Sequence, residues 1–172
     1  MPRTIIKLTD FDPEPIIEYA ISVTDITNVY HYLLAMQRDF WPGTWEDICI
    51  GGYYGASALL HEVIELRLLL SREPYLLTRR EPVIRALARD PGNRDAHLRA
   101  VEVEYRYLQR TIERLFNTKI NIGAIVQANA QRQTDWDDLF DTSLPFFDPS
   151  QAEIEQAERF LTQLRSMGKR LK

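Results

Sequence analysis

Between Gly55 and Ser71 the chain carries a helix-length segment that is apolar on nearly every side, and in its middle stand His61, Glu62 and Glu65. Ala58, Leu59, Leu60, Val63, Ile64, Leu66, Leu68, Leu69 and Leu70 surround the three, and Arg67 is almost the only other charged residue. A helix with no polar face has no side to give to water, so the fold must enclose it. At about 100° per residue His61 and Glu65 lie roughly 40° apart, with Glu62 about 60° further round. Two carboxylates and an imidazole in such a setting each require a cation, a hydrogen-bond partner or a shifted pKa.

A second helix-length segment, Asn93 to Phe116, has a solvated face made by Arg99, Glu102, Arg106, Arg110 and Glu113. Glu102 and Arg106 stand at the i,i+4 spacing of an exposed ion pair. The opposite stripe reads His97, Val101, Glu104, Leu108, Ile112 and Leu115, the seam that such a helix turns toward its neighbours. His97 and Glu104 therefore belong to the core side.

Inward-facing His/Glu pairs on two helices suit a divalent transition metal, because imidazole and carboxylate are the ordinary ligands of zinc, manganese, iron and nickel. His61 and Glu65, one turn apart, can reach the same ion. The run His61-Glu62-Val63-Ile64-Glu65 is similar to the His-Glu-x-x-His helix of zinc metalloproteases, with Glu65 where the second histidine would stand. That resemblance covers five residues and implies His61 and Glu65 as metal ligands and Glu62 as the catalytic general base that activates water. Further ligands are expected from His97 or Glu104. These two are seven residues, or about 10.5 Å, apart along their helix, so one is expected to ligate and the other to orient a ligand through a hydrogen bond.

A second reading uses the same residues without a metal. Glu62 or Glu65 would pair with Arg67 of a neighbouring subunit or with another arginine, and His61 and His97 would be core histidines in a buried His/Glu/Arg network. The chain would then be a non-catalytic helical interaction protein, homodimeric, with the C-terminal helix and Leu144-Pro145-Phe146-Phe147 as its docking regions. The paired Glu-x-x-His motifs of ferritin-like di-iron bundles do not occur.

The 172 residues suffice for one well-buried core, so a single helical domain spanning 1-172 is expected. A net charge of −4 disfavours general affinity for nucleic acid. One stretch runs the other way: Arg72, Arg79, Arg80, Arg85, Arg89 and Arg94 stand against Glu73, Glu81 and Asp90, a local surplus of six minus three. A solvated surface accounts for it more simply than a phosphate site. The single cysteine, Cys49, excludes an intrachain disulfide and fits a reducing compartment. Its apolar neighbours Ile48 and Ile50 mark it as a small hydrophobe rather than a nucleophile. No run approaches the roughly 20 apolar residues of a membrane span, and Met1-Pro2-Arg3-Thr4 opens no signal-peptide pattern. A cytoplasmic protein without membrane contact is expected; its substrate, a small molecule or a peptide, is not legible.

Along the chain, Thr4 to Leu8 reads as a short strand, and Ile17, Tyr19, Ile21 and Val23 alternate as a second strand would, although Ile16, Ile17, Ala20 and Ile21 also fit a helix. Thr24-Asp25 is expected to start a helix from Ile26 to Phe40 that contains the third histidine, His31, and ends at Trp41-Pro42-Gly43. Gly51-Gly52-Tyr53-Tyr54-Gly55 matches no phosphate-binding loop and reads as a turn that permits close helix packing. Pro74 closes the His61 helix, a short helix runs from Glu81 to Arg89, and Asp90-Pro91-Gly92-Asn93 turns into the His97 helix. Another helix is expected from Asn121 to Phe140, with Asp135-Trp136-Asp137-Asp138 as a solvated acidic face. A last helix, capped by Asp148 with Pro149 at its first position, runs to about Arg170. The expected fold is mainly α: a single-domain bundle of about five to seven helices with the His61 helix at its centre, and a short N-terminal strand pair as the one β element.

Overall fold

The computed structural model describes residues 6–36, 43–129 and 148–168. They form eight α-helices: α1 (Pro13–Glu18), α2 (Val23–Met36), α3 (Thr44–Cys49), α4 (Gly52–Arg72), α5 (Glu81–Ala88), α6 (Arg94–Phe116), α7 (Ile122–Ala128) and α8 (Gln151–Ser166). The mainly α bundle read from the sequence is the observed architecture. Three short 3-10 turns join them, and no strand occurs among the described residues. None of these helices is long and apolar enough to cross a membrane.

From Ile6 onward the described residues depart from the strand pair expected near the start of the chain; Thr4 and Ile5 of that reading lie outside the described residues. Leu8–Asp10 is a 3-10 turn, and Pro13 and Pro15 open α1, where fixed φ and a missing N–H cost nothing. Ala20 takes a left-handed φ of 50° and turns the chain into α2. Ile17 is left 78% exposed while Ile21 is buried, so their alternation never formed one face of a sheet. The start of α2 is fixed by Ser22: its Oγ accepts from the Asp25 N–H at 3.2 Å, and the Asp25 carboxylate accepts from the Ser22 N–H at 2.8 Å. Two backbone donors are satisfied reciprocally, which outweighs strand propensity in a segment this short. The count of eight helices among the described residues exceeds the expected five to seven because α1 and α3 have only six residues each, too few to register as a period.

The last helix also starts elsewhere than expected. Ser150, not Asp148, caps α8: Ser150 Oγ accepts from the Glu153 N–H at 3.2 Å while Glu153 accepts from the Ser150 N–H at 2.6 Å. The expected helix from Asn121 is α7, which reaches Ala128; the remainder of that reading, with Asp135 to Asp138 and Leu144 to Phe147, lies outside the described residues.

At the centre stands α4, its most extensive contact being with α6, while α2, α3 and α8 pack on its other sides. Every residue from Tyr54 to Val63 is buried. Gly51 and Gly52, with φ of 71° and 57°, make the turn that opens the helix. Gly55 then lets α3 approach: a Cβ there would stand 2.7 Å from the Ile48 carbonyl oxygen, a distance that no alanine tolerates without backbone movement.

Two apolar clusters flank α4. One gathers Ile26, Val29, Tyr32 and Met36 of α2 with Leu59, Leu60, Val63 and Leu66 of α4. The other gathers Val101, Leu108 and Ile112 of α6 with Ile125 of α7 and Ala157, Leu161 and Leu164 of α8. Those three α8 residues are fully buried, so this part of the apolar stripe of the C-terminal helix is covered within the chain. Arg165 anchors it further, its guanidinium lying 4.6 Å from the centre of the Tyr54 ring and donating to the Tyr54 hydroxyl at 3.0 Å. On the far side of α6 the N-terminal segment is tied down by Tyr107, whose hydroxyl donates to Asp12 at 2.8 Å, and by Arg114 donating to Glu14 at 2.6 Å.

Candidate metal centre

The helices α4 and α6 run antiparallel, as their cross-contacts require: Glu104 meets His61, His97 meets Glu65 and Asp95 meets Arg72, one number falling as the other rises. This pairing brings together four of the five residues singled out from the sequence. His61 Nδ1 lies 2.7 Å from Glu104 Oε2, His61 Nε2 lies 3.2 Å from Glu65 Oε2, and His97 Nδ1 lies 3.3 Å from the same Glu65 oxygen. The two imidazole rings meet edge to face with centroids 5.3 Å apart. Glu65, His61 and Glu104 are almost wholly buried, and the side chain of His97, 28% exposed, is the edge of the group nearest to solvent.

The order along the group is Glu104, His61, Glu65, His97. It resolves the length problem posed by the seven residues between His97 and Glu104. Neither has to lean over Val101, because the two nitrogens of His61 and the carboxylate of Glu65 fill the interval between them. One ligand atom from each of His61, Glu65 and His97 lies within 4.8 Å of the others, a spacing that a single divalent ion can bridge after small side-chain adjustments.

Electrostatics sharpen the geometry. Burial alone would push the Glu65 carboxyl up, yet hydrogen bonds from His61 and His97, together with their charges in acid, hold it well below the usual carboxylate range. An ionised carboxylate only accepts hydrogen bonds. With an ionised Glu104 the His61 Nδ1 therefore carries the proton and donates. That leaves Nε2 facing a second carboxylate at 3.2 Å. Two acceptors at that distance repel, so either a second proton makes His61 an imidazolium or a cation lies between Nε2 and Glu65. The Glu104–His61 bond is also the arrangement by which a carboxylate fixes the tautomer and ring orientation of a metal-bound histidine.

Glu62 is 4% exposed and sits on the same turn of α4. Its charge and that of Glu65 act on the hydroxyl of Tyr32, which burial already pushes well above the usual tyrosine range. Tyr32, contributed by α2, is 1% exposed, and its hydroxyl has no hydrogen-bond partner among the described residues. Sequence reasoning passed over Tyr32. The available signal was its i+3 spacing from Val29 and i−4 spacing from Met36, which places it on the buried face of α2.

Arginine takes no part in the bonds that Glu65 makes within this group. Arg67, the arginine nearest in sequence, turns away and donates to Asp25 at 2.9 Å and to the backbone carbonyls of Tyr19 and Ala20 at 2.7 and 3.0 Å. His31 is exposed and meets the edge of Tyr30, so it stands apart from the centre. The Cys49 thiol, half-buried, is pushed up to about 11 by burial and by the charge of Glu46, which keeps it protonated and unreactive at neutral pH. Within the arginine-rich stretch, Arg72 pairs with Asp95 and Arg85 donates to the Ala35 carbonyl at 3.0 Å; both are committed to contacts within the chain.

Comparison of the chain with protein-family models, with curated proteins and with solved structures finds no match, and the chemistry of the centre is therefore read from its own residues.

Proposed function

We propose that this helical protein binds a divalent transition metal between α4 and α6 and uses it for hydrolysis. His61 Nε2, Glu65 and His97 are the ligands in this reading, Glu104 orients His61, and Glu62 takes a proton from water activated by the ion. Zinc, manganese, iron and nickel all suit two imidazoles and a carboxylate. The observation that carries the reading is the Nε2 atom of His61, held by the Glu104 bond with its remaining valence toward Glu65 at 3.2 Å. Three protein ligands leave a position for water or substrate, and the part-exposed His97 side chain marks the side from which it would enter.

The same group supports a second reading because carboxylate and imidazole alternate along it. A protonated His61 between Glu65 and Glu104 would be paired on both sides with no metal present. The protein would then be non-catalytic, with the centre serving as a buried polar network and homodimerisation as a partner hypothesis. Ala157, Leu161 and Leu164 of the α8 stripe are covered within the chain, while Met167 beyond them is 50% exposed.

Elemental analysis and metal reconstitution of tag-free protein separate the two readings. Near-stoichiometric metal is expected in the wild type and none in the His61→Ala/His97→Ala double variant. Glu62→Gln is expected to keep the metal and lose any hydrolytic turnover found with small ester or peptide probes. Failure of the wild type to take up zinc, manganese, iron or nickel would leave the polar network as the function of these residues.

A further inference from the structure

We propose that the hydroxyl of Tyr32 is the donor that the centre presents to the non-protein ligand of its metal, so that α2 supplies a positioning residue to a site otherwise built from α4 and α6. The inference rests on the metal reading above and goes beyond it by naming where a water, or the oxygen of a substrate carboxylate or ester, would be held. Tyr32 lies on the buried face of α2, and that helix packs directly on α4. A buried hydroxyl without a partner forfeits the bonds it made to water, a cost that a packed core seldom tolerates unless something fills the gap. Here the hydroxyl is 1% exposed as part of its residue, lacks any partner among the described residues, and lies within electrostatic reach of both Glu65 and Glu62. Burial, with those two charges adding to it, raises its pKa, so it keeps its proton and can donate it to an acceptor. Glu65 already faces two imidazole nitrogens. An oxygen on the ion would accept from Tyr32, which satisfies the hydroxyl.

The test uses the full-length protein loaded with cobalt(II), whose visible spectrum reports its coordination, and titrates azide and acetate as small anionic ligands. Tyr32→Phe removes only the hydroxyl. The variant is expected to bind cobalt with unchanged stoichiometry and, in the metal-free form, to unfold at the same or a higher temperature, because an unpartnered polar atom has gone. Its affinity for azide and acetate is expected to fall about tenfold, the loss of one buried hydrogen bond. Equal anion affinity in wild type and variant would overturn the role of Tyr32 while leaving the metal centre standing. Loss of cobalt from a variant that still unfolds cooperatively would also overturn it, by making Tyr32 a ligand. Absence of cobalt uptake by the wild type would instead remove the centre itself, and this inference with it.

Discussion

Replacing Glu65 with alanine is expected to destabilise the metal-free protein by about 3 to 5 kcal/mol at neutral pH, the range for removing one partner from a buried ion pair, and to abolish metal binding. Both imidazoles face Glu65. Its loss removes the carboxylate that His61 Nε2 and His97 Nδ1 both face, whereas Glu65→Gln keeps one acceptor oxygen and is expected to recover part of the stability. The effect carries a pH signature. The carboxyl of Glu65 is held below its ordinary value of 4.5 in the folded chain, so its contribution is fully present above that value and is lost as pH falls through the lower, folded one. Urea denaturation in the presence of a chelator, repeated from pH 7 downward, should show the gap between wild type and Glu65→Ala constant near neutrality and closing in acid. A gap that widened in acid would mean that the imidazoles, not the carboxylate, dominate the linkage.

The second large effect concerns packing. Leu108 and Leu115 lie seven residues apart on the stripe of α6 that the heptad spacing turns inward, yet Leu108 is fully buried and Leu115 is 36% exposed. Leu108→Ala is expected to cost about 2 to 5 kcal/mol, the transfer of the side chain plus the cavity left among Ile112, Ile125 and the α8 residues. Leu115→Ala is expected to cost about 1 kcal/mol or less. Denaturant midpoints of the two variants check the contrast, and equal losses would contradict the arrangement of α7 and α8 on α6.

That contrast also illustrates how far the sequence could be read. Periodicity located α4 and α6, because each is over twenty residues long and a 3.6-residue pattern accumulates over several turns. It placed Glu102 and Arg106 outside, where they pair at 3.3 Å, and His97 and Glu104 inside. What it could not supply was the end of the seam: whether Leu115 is covered is a tertiary property. Short elements were the least legible. In α1 two prolines, and in α2 the Ser22–Asp25 exchange, decided the conformation locally against an alternating pattern that suggested a strand.

Within the centre, residue types and faces were legible but connectivity was not. His61, Glu65, His97 and Glu104 were identifiable as inward-facing ionisable groups, whereas their order follows from the antiparallel register of α4 on α6, which no helical wheel contains. Tyr32 required more still. It comes from a third helix, and an unpartnered hydroxyl becomes visible only when every neighbour has been placed.

X-ray absorption at the zinc edge of reconstituted, tag-free protein tests the central claim most directly. The account predicts a shell of nitrogen and oxygen only, at about 2.0 to 2.2 Å, with the multiple-scattering signature of two imidazoles that disappears in the His61→Ala/His97→Ala variant. A shell without imidazole, a shell containing the sulfur of Cys49, or no zinc bound at all would contradict it.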